Sequence, residues 1–102
     1  MDKVASRSFS IRIEDVEVEA AISIEIPKPY RSEGDWSCTY VLEIDGRAYE
    51  HRCIGIDSLQ ALQLAISTSD AELRAKLREM KGELLLFGEP AASLLEGGNF
   101  GK

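Results

Sequence analysis

Residues 36–55 run Trp36-Ser37-Cys38-Thr39-Tyr40-Val41-Leu42-Glu43-Ile44-Asp45-Gly46-Arg47-Ala48-Tyr49-Glu50-His51-Arg52-Cys53-Ile54-Gly55. Trp36, Cys38, Tyr40, Leu42 and Ile44 alternate with Ser37, Thr39, Val41 and Glu43, the period of a strand with one buried face. Asp45-Gly46 then turns the chain, because a two-residue type I′ turn needs positive φ at both central positions. That turn fixes the register. Leu42 faces Tyr49, Tyr40 faces His51, Cys38 faces Cys53 and Trp36 faces Gly55, all on the core side, and a one-residue slip would spoil this agreement.

The same alternation extends toward the N-terminus. Phe9, Ile11 and Ile13 form one run, and after Glu14-Asp15 come Val16, Val18, Ala20, Ile22, Ile24 and Ile26, opposed by Glu17, Glu19, Ala21, Ser23 and Glu25. Pro27 and Pro29 end this second strand, since proline cannot donate to a ladder. Residues 27–34 read as the longest loop. After Gly55 the period becomes helical, with Leu59, Leu62, Ile66, Leu73, Leu77 and Met80 on one side. Asp57 caps the helix and Gln60 completes an Asp-x-x-Gln capping box. Gly82 is the expected stop. Ser69 with Glu72 offers a second box that would restart a helix, but one continuous helix is the preferred reading. Residues 83–87 give a last short strand. The order β-β-β-β-α-β predicts an α+β fold, a two-layer antiparallel sheet covered on one face by a single long helix. One domain spans 1–102, with an ordered core over about 7–88 and a flexible tail from about 91.

Composition narrows the function. The 102 residues carry 12 Lys plus Arg against 18 Asp plus Glu, and the net charge of −6 repels phosphate backbones and anionic headgroups. No nucleic acid and no membrane partner is expected. Two cysteines are too few for a disulfide scaffold, and no signal-like segment opens the chain, so a reducing, cytoplasmic setting with free thiols is expected.

Gly55-Ile56-Asp57-Ser58-Leu59 resembles the Gly-x-Asp-Ser-Leu phosphopantetheine attachment site of acyl and peptidyl carrier proteins. The resemblance makes Ser58 the attachment point for the cofactor arm, and it implies a helical bundle. The strict alternation of the preceding half points instead to a sheet. A broader pattern joins Trp36-Ser37-Cys38, Asp45-Gly46, residues 55–65 and Leu84-Leu85-Leu86-Phe87-Gly88. It resembles a group of small bacterial proteins that carry a domain of unknown function. That resemblance implies a bacterial protein and brings no catalytic residue, cofactor or metal with it.

Cys38, Tyr40, His51 and Cys53 share one face, a combination that nucleophilic catalysis can use when a thiol lies within hydrogen-bond reach of a base. Core packing is the preferred role, because cysteine is among the most buried residue types. Glu17, Glu19 and Glu25 line the second strand as an acidic stripe able to meet a basic partner. On the helix, Leu64, Ala61, Ala71 and Ala75 lie roughly opposite the leucine stripe and suggest a homodimer face. The first expectation is therefore a non-catalytic binding domain with an unknown protein partner, such as an immunity-type inhibitor of a basic toxin. The alternatives are a carrier modified at Ser58 and, third, a Cys/His enzyme.

Overall fold

The computed structural model describes residues 2–31 and 34–95. Among these residues seven strands, β1 (Lys3–Ile13), β2 (Val16–Glu25), β3 (Lys28–Tyr30), β4 (Asp35–Ile44), β5 (Arg47–Gly55), β6 (Glu83–Leu86) and β7 (Glu89–Pro90), form one antiparallel sheet with a single helix, α1 (Ser58–Met80). Across the sheet the strands lie β7-β6-β1-β2-β4-β5. The first four long strands follow one another as a meander. Helix α1 then crosses back over one face, chiefly above β4 and β5, and delivers β6 to the far side of β1.

Turn chemistry builds this meander. Asp45 and Gly46 both have positive φ, 51° and 82°, and the β4–β5 register is the one the turn dictates, from Ile44 opposite Arg47 out to Trp36 opposite Gly55. Glu14 and Asp15 (φ 49° and 66°) make an equivalent turn between β1 and β2 without a glycine, and Phe87 with Gly88 makes another. The 27–34 segment expected as a loop contains β3. Ile24 pairs with Tyr40 while Lys28 pairs with Ser37, so β3 resumes the β2 pairing with β4 after one extra residue, a bulge that accommodates Pro27.

The core lies between the sheet and α1, where Ile11, Ile22, Tyr40 and Leu42 meet Ala61, Ala65 and Leu73. Asp57 caps the helix by accepting the Gln60 N–H at 2.8 Å, and the Gln60 amide returns to the N–H of Ile56. The helix is continuous through residues 67–70, because the Ser67 and Ser69 hydroxyls donate back to the carbonyls of Leu64 and Ile66 and do not cap a new start. Its left-handed terminator is Lys81 (φ 54°), where Gly82 was expected. Gly82 is needed for space instead: a Cβ there would lie 2.7 Å from Ile11 Cγ2.

Two further expectations are corrected. The leucine stripe packs on the core from Leu62 to Met80, but in the first turns the buried face shifts toward alanine, so that Leu59 is 62% exposed while Ala61 and Ala65 are fully buried. The cause is close approach. A Cβ on Gly55 would lie 2.5 Å from the backbone nitrogen of Ala61, so the first turns rest almost directly on β5 and only small side chains fit between. The tail, expected to loosen from about 91, packs at least through Leu94, which is buried in the core. Buried Asp70 anchors it, its Oδ1 accepting the Ser93 hydroxyl (2.9 Å) and the Leu94 N–H (2.8 Å), while Arg7 donates to the Leu94 carbonyl. The remainder of that tail lies outside the described residues.

The close approach makes a prediction. Gly55→Ala forces backbone against backbone and is expected to lower stability by about 1–3 kcal/mol, the range for overpacked cores. Urea unfolding of the variant checks this, and an unchanged midpoint would contradict the contact.

Candidate functional site

The Cys38, Tyr40, His51 and Cys53 side chains do share one sheet face, with Cys38 and Tyr40 on β4 directly opposite Cys53 and His51 on β5. Helix α1 closes over most of them. Both cysteines are buried and unbonded to each other, and Tyr40 is 1% exposed. His51 stays on the solvent side, its ring 5.7 Å from that of Tyr40 and tilted by 39°.

Hydrogen bonding directs these groups away from a nucleophile–base pair. Cys38 Sγ donates to the Glu25 carbonyl at 3.3 Å, and burial pushes its thiol up to about 11. Burial also raises the Cys53 thiol, against a smaller opposing effect from its hydrogen bond to Thr68. Both thiols are therefore protonated at neutral pH, whereas the thiolate is the reactive form. The Tyr40 hydroxyl donates to Glu72 Oε1, and its acidity is suppressed first by burial and then by that carboxylate. Glu72 Oε2 lies 3.8 Å from Lys76 Nζ, which sits 3.7 Å above the Tyr49 ring. Sequence reading missed this chain of contacts. Only the i, i+4 spacing of Glu72 and Lys76 hinted at it.

The other expected site residues separate. Ser58 is exposed in the first helical turn, but it stands between a strand and a lone helix, not in the bundle that the carrier resemblance implies. Of the acidic stripe, Glu17 and Glu19 are exposed, whereas Glu25 is buried. Its Oε1 accepts the Thr39 N–H at 3.0 Å, satisfying a donor that the β2–β3 bulge leaves without a ladder partner, and Lys28 Nζ stands 3.7 Å from Oε2. The proposed helix face also divides. Ala61 belongs to the core and Ala75 is half-buried, which leaves Leu64 (37% exposed) and Ala71 at the surface.

Opposite the helix, the sheet presents a different surface. Ser8 and Ser10 of β1, Ala21 and Ser23 of β2, and Thr39, Val41 and Glu43 of β4 alternate with the core residues and so project from the helix-free side. Small side chains leave two open clefts there. The first, of about 650 Å³, is lined by Ser8, Ser10, Glu19, Ala21, Glu43 and Phe87. The second, of about 580 Å³, includes Lys28, Tyr30, Thr39, Glu50 and Arg52. Arg31 and Arg52 flank the Tyr30 ring at 4.9 and 5.2 Å, and a hydrogen bond from Arg31 leads the effects that lower the pKa of the Tyr30 hydroxyl.

A family model described as Domain of unknown function (DUF6968) matches residues 5–94, from the first strand to the anchored Leu94. The chain belongs to this family. Comparisons with curated proteins and with solved structures find no match. The family span thus includes both the enclosed thiol face and the open face. Among the described residues, no three His, Cys, Asp or Glu side chains gather as a metal site, and no helix is long and apolar enough to cross a membrane.

The thiol environment sets the next expectation. A pKa of about 11 in place of an ordinary 9.0 lowers the Cys38 thiolate fraction about a hundredfold at neutral pH. Iodoacetamide at pH 7.5 is expected to label the native thiols at least tenfold more slowly than the urea-unfolded chain. Because the folded thiol binds its proton more tightly than the unfolded one, its contribution to stability is present below pH 9 and is lost as pH rises from 9 toward 11. A urea midpoint that climbs over that interval, or rapid native labelling, would contradict the assignment.

Proposed function

We propose that this chain is a non-catalytic binding domain whose helix-free sheet face receives a basic partner. One observation carries the reading: the open cleft over β1, β2 and β4 gathers the small Ser8, Ser10 and Ala21 side chains beside the carboxylates of Glu19 and Glu43, which are diagonal neighbours on β2 and β4. Small residues let a partner side chain approach the sheet closely. The two carboxylates select a cation for that position, and the net charge of −6 steers a basic protein toward it. An inhibitor that masks a basic toxin in a bacterial cytoplasm is one concrete form of this function. The buried, protonated thiols favour binding over Cys/His chemistry.

The carrier reading keeps one favourable feature, the exposure of Ser58 in the first turn of α1. Both readings are tested on the intact chain. In an NMR titration with a lysine- and arginine-rich peptide, amide shifts of Ser8, Ser10, Glu19, Ala21 and Glu43 are expected to move and to recover as salt is raised. Shifts confined to α1, or none, would overturn the proposal. Intact mass after incubation with coenzyme A and a phosphopantetheinyl transferase is expected to stay unchanged, and a phosphopantetheine gain lost in Ser58→Ala would favour the carrier.

A further inference from the structure

The two edges of the sheet differ. One ends in β7, two residues long and containing Pro90, which cannot template another strand. The other is β5, nine residues paired without a bulge to β4 and, among the described residues, to no other strand. Because the Asp45-Gly46 turn makes Ile44–Arg47 a hydrogen-bonded pair and the two pair types alternate, Tyr49, His51, Cys53 and Gly55 direct their backbone groups at β4. Ala48, Glu50, Arg52 and Ile54 direct theirs outward from the sheet.

Those four residues are self-complementary. When β5 meets an antiparallel copy of itself about a two-fold axis at His51, Glu50 faces Arg52 of the copy and Arg52 faces its Glu50, while Ala48 and Ile54 face each other. Each such pair exchanges two N–H···O bonds. Shifting the copy by two residues either way breaks the match, because it sets Glu50 against Glu50 or Arg52 against Arg52. Like charges directly opposite destabilise a sheet, and opposite charges favour it. Edge charges ordinarily discourage pairing. Here an acid and a base two residues apart discourage every register but one. Exposed Ile54 and Ile56 at the end of this strand supply apolar surface at each end of the pairing, where Leu59 opens α1.

We propose that β5 is a homodimerisation edge: two copies join antiparallel about His51, with reciprocal Glu50–Arg52 pairs, into one continuous sheet. The interface uses the edge and leaves the cleft lined by Glu19 and Glu43 open, so it stands independently of the binding reading. It also places the dimer away from Leu64, where the helix pattern had suggested one. Arg52 stacks on Tyr30 within its own chain, 5.2 Å from the ring. The test must therefore separate that contact from the intermolecular pair.

A charge swap does so. In sedimentation equilibrium of the full chain, the native protein is expected to dimerise, and Glu50→Arg or Arg52→Glu alone to raise the dissociation constant at least tenfold. The double variant, Glu50→Arg with Arg52→Glu, restores both pairs in the same register and is expected to return the constant to within about threefold of native. Circular dichroism melts accompany each variant to show that it folds. A monomeric native protein at 0.5 mM overturns the proposal. So does a dimer indifferent to the single reversals, a double variant no tighter than the singles, or a dimer lost in Leu64→Glu but retained in Glu50→Arg.

Discussion

The structure turns on the contact of one glycine with one turn of helix. Gly55 ends β5 so close to the backbone of Ala61 that no Cβ fits between them, and the helix settles onto the β4–β5 hairpin at that separation. From this follow the small residues Ala61 and Ala65 at the interface, the outward rotation of Leu59, and the burial of Tyr40, Cys38 and Cys53 beneath α1. Interiors packed at crystal-like density leave little freedom at such a contact. The helix therefore has one seat on the sheet.

That seat divides the surface by chemistry. Every thiol and the Tyr40 hydroxyl lie under the helix, hydrogen-bonded to a carbonyl, to Thr68 or to Glu72, and burial holds them in their neutral forms. Reactive residue types here serve packing. The helix-free face keeps the carboxylates of Glu17, Glu19 and Glu43 in water, and β5 keeps outward-facing backbone groups. The two proposed interaction surfaces lie outside that enclosure, one the cleft offered to a partner and the other the edge offered to a copy.

Most of the architecture was legible because turns and alternation are local signals. Asp45-Gly46 alone determined the whole β4–β5 register, and the capping pair Asp57 and Gln60 placed the start of α1. What was missed depends on contacts distant in sequence. Hydrophobicity favours leucine over alanine when a helix face is chosen, but in the first turns the sheet's proximity at Gly55 reversed that order, which exposed Leu59 and moved Ala61 from a supposed interface into the core. Nothing near Asp70 in the sequence announces its burial, because the partner that needs it, Leu94, returns to it across the fold. Glu25 belongs to an acidic alternation by spacing, yet the bulge at Pro27 turns it into a buried ligand of the Thr39 amide. The Glu14-Asp15 break between the first two strands is read from the interrupted alternation, even though its turn has positive φ at two residues without a glycine.

The seating of α1 is open to direct observation. In a nuclear Overhauser spectrum of the ¹⁵N,¹³C-labelled chain, a strong cross-peak is predicted between a Gly55 Hα and the Ala61 amide proton, with Ala65 methyl peaks to sheet residues and none from the Leu59 methyls to Cys53 or Tyr40. Leu59 methyl contacts to Cys53 or Tyr40, with the Gly55–Ala61 peak absent, would mean that the first turn rests on Leu59 instead of Ala61 and would contradict the account.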